Sequence, residues 1–248
     1  IKLTDEIYQK GEKEKNSPQM LKAYAWRMKY REMLNPDSLY AGLKGLEQWG
    51  KQTDQPMDRA ILHSLIAGIY ANYAANNQWQ LRQRTEIVGQ TPSADIREWT
   101  ANMFVEKVRT NVKEALADSV LLLKTSSRDY IPFVELGKTS EYYHHDLYHL
   151  LASRGIDALL QVEKLGSGYT ETNAVNPVKQ DIIAIYGNML SAYKAAGLKE
   201  GYVLTALNYL EWRRGAERYI RPLQAKGEAS VLTDDTYLKA LNTLKSKY

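Results

Sequence analysis

Cysteine is absent from this chain, which removes disulfides, thiolate metal sites and a cysteine nucleophile together. The absence also suits an oxidising compartment. Long apolar runs are missing too. Nothing approaches the ~18 residues needed to span a bilayer, and no charged-then-apolar signal opens the sequence. Charge of one sign is not in excess: 33 Lys and Arg face 29 Asp and Glu, giving a net charge of +4. These charges are scattered along the chain, so they read as solvated surface and not as a nucleic-acid stripe. Phenylalanine is nearly absent, with two residues against 18 tyrosines and five tryptophans. The aromatic surface therefore carries hydroxyls and indole N–H groups, which suit core edges and binding surfaces. Tyr70, Tyr73 and Tyr186 fall on apolar stripes and read as packing, whereas Tyr142 and Tyr143 are the candidates for protein contact.

What is present is enough for a core: 248 residues, 44% apolar and 25% charged. In "ILHSLIAGIYANYA", Leu62, Leu65, Ile66, Ile69, Tyr70 and Tyr73 recur at three-and-four spacing, the mark of one buried helix face. Similar stripes run through Leu21, Tyr24, Ala25 and Met28, through Leu147, Leu150 and Leu151, and through Ile182, Ile185, Tyr186, Met189 and Tyr193. No segment alternates with period two for long enough to make a strand. Ser17-Pro18, Ser93 and Asn176-Pro177 place capping side chains ahead of helical runs. Gly50, Gly166 and Gly197 sit where helices should stop. Residues 93 to 124 read as one long helix, and about eight or nine helices are expected in all. The expected fold class is all-α.

Short links between such helices make antiparallel hairpins, clearest in "DIIAIYGNMLSAYKAAGLKEGYVLTALNYLEW", broken at Gly197. No strict repeat period recurs, so the expectation is irregular stacked hairpins, a tetratricopeptide-like α-solenoid, and not a consensus array. Residues 1–248 read as a single helical-array domain, with one minor boundary in the loop 164–176. The chain opens on Ile1 and not Met, so an upstream segment is expected to have been removed.

One stretch looks like chemistry. "HHDLYHLL" nearly writes the H-E-x-x-H zinc signature, with Asp146 where the general-base Glu belongs. On a helix, His145 and His149 would share a face, as two imidazoles on one zinc must. A catalytic site also needs a third protein ligand and a base that reaches the bound water. Asp146 is one methylene too short, and only Glu163 and His63 are formally available as a third ligand. The expectation is therefore no metal site, with His145 and His149 the residues that would hold a metal if one existed. Leu147, Leu150 and Leu151 would then face the core while the histidines line a polar edge.

Other motifs are weaker. Ser126, Ser127 and Ser140 lie in no nucleophile elbow. "GSGYT" lacks the Lys and preceding strand of a phosphate loop and reads as a turn. "RRGAER" with Arg221 is interrupted by acids and reads as surface ion pairs. Asp234 and Asp235 read as a helix cap.

The stretches "KEKNSPQMLKAYAWRMKY", "ILHSLIAGIYANYAANN", "ADIREWTANMFVEKVRTNVKEALADSVLL", "DLYHLLASRGIDAL" and "TYLKALNTLKSKY" are, in this order, similar to the helical amino-terminal region of the large Bacteroidetes α2-macroglobulin-like proteins. The resemblance covers nearly the whole chain. It implies a cell-envelope or periplasmic setting, often with a lipid anchor, within a protein that traps proteases through macroglobulin domains, a bait region and a Cys-Gly-Glu-Gln thioester. None of those parts is in this sequence. In the family, Asp stands at the position of His149, which speaks against a family metal site. The resemblance thus implies a non-catalytic scaffold or docking module with no cofactor. Its partners would be other domains of the parent chain, or an envelope protein or peptide. Nucleic acid is not among them, and membrane contact would come only through an anchor outside this segment. A free-standing tetratricopeptide-like adaptor and a metalloenzyme with a degenerate zinc helix are the alternatives.

Overall fold

A computed structural model describes residues 1–84, 93, 95–137, 145–163, 165, 176–218 and 234–247, with the side chains of 216–218 and 234 excepted. Among the described residues every regular element is helical, so the all-α expectation holds. Eleven α-helices and two 3₁₀ turns are found there, more than the eight or nine expected. The chain forms two compact units, one of residues 1–140 with 145–169, the other of 141–144 with 170–248.

The first unit contains α1 (Lys2–Lys13), α2 (Ser17–Leu34), α3 (Ser38–Gln52), α4 (Pro56–Asn76), α5 (Gln78–Arg82), α6 (Ala101–Ala115), α7 (Ser119–Lys124) and α8 (Leu147–Val162). Its axis is α4, which packs against α3, α6 and α8. The α4 stripe explains this in part: Leu62, Ile66 and Tyr70 are buried as the spacing predicts, Leu65, Ile69 and Tyr73 are half-buried, and Ile61, Ala67, Ala71 and Ala74 extend the buried surface around the helix. Each fully buried Leu or Ile contributes about 1.5–3 kcal/mol. Ringed side chains fill the α4–α6 seam, where Tyr70 stacks on Trp99 and Tyr73 on Phe104, each at 5.3 Å.

At the other end α1 and α2 form a hairpin. Arg27 reaches Asp5 at 3.1 Å and lies over the rings of Tyr8 and Tyr24. Helix α3 then approaches α2 closely. The Tyr24 hydroxyl donates to the carbonyl of Gly42 at 2.9 Å, and a Cβ added at Gly45 would run into that same hydroxyl.

The second unit contains α9 (Pro177–Ala196), α10 (Lys199–Arg218) and α11 (Asp234–Lys247). Helix α9 matches its sequence signals closely. Asn176 caps it by accepting from Val178 and Lys179, Pro177 takes the first helical position, and Ile182, Ile185, Tyr186, Met189 and Tyr193 are buried. Gly197 closes it at φ 68, where Leu198 N–H returns to Tyr193 and Gly197 N–H to Lys194.

Four local expectations are corrected. Residues 93 to 124 are not one helix, because Asp95 caps a 3₁₀ turn (Ile96–Glu98) and Asp118 caps α7 by accepting from Leu121. The cap of α2 is Asn16, which accepts from Gln19, and not Ser17. Gly50 lies inside α3, which continues to Gln52 before Thr53 turns extended. Helix α11 begins at Asp234, so Asp235 stands in its first turn and does not precede it. Gly166 lies outside the described residues.

Gly45→Ala should destabilise the chain by about 1–3 kcal/mol, because the α2–α3 crossing has no room for a methyl. Gly68→Ala is the control: it lies inside α4 with nothing within 4 Å of the added carbon, and should gain about 0.5–1 kcal/mol. Urea unfolding of both variants distinguishes the two effects.

Candidate functional site

The "HHDLYHLL" stretch contains a helix start, and the start falls after the first histidines. Asp146 is the N-cap of α8, and its carboxylate accepts from His149 N–H at 2.6 Å. His145 precedes the cap and is not helical, so His145 and His149 do not share a helix face. The physical reason is that an Asp with extended backbone satisfies an orphan N–H better as a cap than within the first turn. Its carboxylate is thereby held away from any base role. His145 is held elsewhere as well: its carbonyl accepts from Ser127 N–H at 2.7 Å, and the guanidinium of Arg128 points at its Nε2 at 3.0 Å. Arginine only donates, so that nitrogen is an acceptor and faces a cation already. Leu147 N–H to the Thr125 carbonyl completes the tie between residues 125–127 and 145–147.

The formal third ligands are no nearer. His63 Nδ1 bonds the Asn111 side-chain oxygen at 2.8 Å, an α4–α6 link, while Glu163 is the C-cap of α8. Among the described residues no group of three or more His, Asp or Glu is placed to hold a metal ion. Leu147 and Leu151 are buried and Leu150 is half-buried, and His145 and His149 are half-buried beside them. Tyr142, Tyr143, His144, Ser140 and the "GSGYT" turn lie outside the described residues. Ser126 caps a 3₁₀ turn (Ser127–Tyr130) by accepting from Arg128 N–H, and Ser127 is buried. Arg213 and Arg214 sit over the rings of Tyr209 and Tyr237, at 5.8 and 4.7 Å. Arg221 lies outside the described residues.

The polar centre of the first unit was not singled out by motif. It is Asp58, in the first turn of α4 and only 5% exposed. One carboxylate oxygen accepts from the Ser17 hydroxyl at the start of α2, and the other from the Tyr130 hydroxyl at 2.9 Å. The N-terminal turn of α4 adds a favourable dipole to its charge. Asp54, Asp129, Thr125 and Lys15 line the open hollow beside it. Both oxygens of Asp58 are engaged within the protein, so its arrangement joins three segments. A signal existed in the sequence: Asn16 and Ser17 are two capping residues for one helix start, and the surplus one was free to reach elsewhere.

The surface of α2 is the other unusual feature. Leu21, Tyr24 and Met28 are buried on one side. At 100° per residue, Trp26, Tyr30, Met33 and Leu34 lie on the other. Met33 and Leu34 are 73% and 78% exposed, and Trp26 stacks on Tyr30 at 5.5 Å with Lys29 over its ring. Leu3 and Ile7 of α1 are exposed as well.

Asp58→Ala should cost about 2–3 kcal/mol, because two buried hydroxyls lose their acceptor. Tyr130→Phe should cost about 1–2 kcal/mol, and the double variant should cost less than the sum. Chemical denaturation of the four proteins measures the coupling. Alkaline pH should act through the same tyrosine. Burial first, and then the Asp58 charge, raise the Tyr130 pKa; burial raises that of Tyr70, with Glu47 adding to it. Burial and Asp146 push Tyr148 up to about 12. Unfolded phenols ionise near 10. The folded state therefore holds protons that the unfolded state has lost, and stability intact below pH ~10 should fall as pH rises above it. Melting temperatures between pH 8 and 12 should drop at the alkaline end, and less steeply in Tyr130→Phe.

No family model, curated protein or solved structure matches the chain.

Proposed function

We propose that this chain is a non-catalytic helical docking module of a longer, bacterial α2-macroglobulin-like protease-trapping protein of the cell envelope. The observation that carries the docking role is α2, which is apolar on two opposite sides while the first unit covers only one. Helix α2 carries Lys22, Arg27, Lys29, Arg31 and Glu32 as well, so its apolar residues form two stripes separated by charge. Its exposed face holds Trp26, Tyr30, Met33 and Leu34 at i, i+4, i+7 and i+8, the spacing by which one helix lies against another. Aromatic and Met side chains are also those enriched where proteins meet. In an array of stacked hairpins a terminal pair needs a polar outer face, and on the α1–α2 hairpin the apolar strip of α2 interrupts the exposed charges of Lys2, Glu6, Lys10, Lys29 and Glu32. It therefore suits an interior position in a tetratricopeptide-like stack, with another domain of the parent chain against it. The envelope setting is supported by the ordered resemblance of five stretches to the amino-terminal region of that family. No described helix is long and apolar enough to cross a membrane, so attachment would fall to an anchor elsewhere in the parent.

The test has two parts. The encoding frame should continue past the codon for Tyr248 into β-rich macroglobulin repeats, and a stop codon directly after it would sink the proposed context. A Met33→Asp, Leu34→Asp variant should keep its unfolding midpoint, since both side chains are already in water. It should bind the remainder of the parent chain about tenfold or more weakly by titration calorimetry. Undiminished binding would move the docking face elsewhere.

A further inference from the structure

A cavity of about 350 Å³ opens between α4, α8 and residues 133–135. Its walls are mainly apolar: Ile61 and Leu65 from α4, Leu147 and Leu150 from α8, and Phe133 and Val134 from the segment between. Three polar groups interrupt this lining: Ser64, Arg154 and Glu135. Ser64 is 6% exposed, and among the described residues its hydroxyl has no hydrogen-bond partner. A buried hydroxyl left in that condition is unfavourable, and an alanine at the same place would avoid the cost. The second group is Arg154 of α8. It is exposed and makes no hydrogen bond among the described residues, and its charge acts on Asp157, about one turn along α8. The acid in the lining, Glu135, is already matched by Lys22 at 3.2 Å.

We propose that this cavity binds a small carboxylic acid with an apolar body. The guanidinium of Arg154 presents a fork of donors suited to a carboxylate, and Ser64 gives an inner hydroxyl that a ligand oxygen would satisfy. Concave sites of this size, largely apolar with a few placed polar groups, are the usual form of small-molecule sites. At ~30 Å³ for each water-sized volume, the space takes a ligand on the order of ten non-hydrogen atoms. Octanoate and 3-phenylpropionate have that size. The proposal does not depend on the docking role.

Titration calorimetry on the intact 248-residue chain tests it, using octanoate and 3-phenylpropionate, each against its primary amide. The acids should bind, and the amides about tenfold or more weakly, because they lack the charge that Arg154 meets. Arg154→Gln, an exposed change that leaves the core intact, should reduce acid binding to the amide level without altering amide binding. Ser64→Leu should fill the cavity and abolish binding of both. Absence of heat from either acid up to about 10 mM overturns the proposal. So does equal binding of acid and amide, or an Arg154→Gln variant that binds the acids as wild type does.

Discussion

A buried carboxylate held by two hydroxyl donors organises the first unit. Asp58 would be costly to bury alone, so its position requires both hydroxyl donors and the turn of helix beneath it. Ser17 lies 41 residues away and Tyr130 lies 72 away, which makes the network a constraint between distant segments and not a local turn. It fixes where α2 begins relative to α4 and where the 3₁₀ turn after α7 must sit. That turn in turn pairs with residues 145–147 and sets the start of α8. The beginnings of three helices thus follow from one side chain. Apolar stripes specify which face is buried but tolerate rotation and sliding; a polar contact with two fixed donors does not.

The parts legible in the sequence are those decided locally. Helix α9 has its cap, its first proline, its stripe and its terminal glycine all in agreement, and each does in the fold what its residue type favours. The stripe of α4 was legible for the same reason, since about three turns of three-and-four spacing cannot suit a strand. What failed were choices between neighbouring candidates. Asn16 and Ser17 both favour a cap, and only the distant Asp58 decides that Ser17 leaves that task to Asn16. Asp118 ends a run that periodicity alone would continue, because a cap side chain reaching Leu121 N–H outweighs one more helical turn. His145 and His149 have helical spacing, but spacing means nothing until the helix start is known, and Asp146 sets that start between them.

The candidate site was legible to a smaller degree, and for a physical reason. Motifs name chemistry when reactive groups lie close in sequence, whereas Asp58 with Tyr130, and Ser64 with Arg154, are brought together only by packing. Nothing about Ser64 in "ILHSLIAG" marks it as unpartnered, since serine in a helix ordinarily finds a carbonyl or water. The exposed face of α2 was hidden by the opposite effect. Its stripe through Leu21, Tyr24 and Met28 was correctly read as buried, and a second apolar stripe on the same helix simply looks like more core.

The scarcity of phenylalanine has a structural counterpart in how the rings are used. Tyr24 donates to Gly42 across α2 and α3, Tyr70 to Glu47 across α4 and α3, and Tyr130 to Asp58 across the 3₁₀ turn and α4. Each ring buries apolar area as phenylalanine would, while its hydroxyl specifies which neighbouring helix it meets and at what height. A chain with no disulfide to fix helix register gains from such contacts, because ridge-and-groove packing alone allows several registers of similar energy. The arrangement has a definite direction of dependence: each hydroxyl is a donor to an oxygen, two of these oxygens are carboxylates, and the contact exists only while the phenol keeps its proton. Register in the first unit is therefore tied to tyrosine protonation, and the same tie explains why burial and a nearby negative charge act together on Tyr70 and Tyr130.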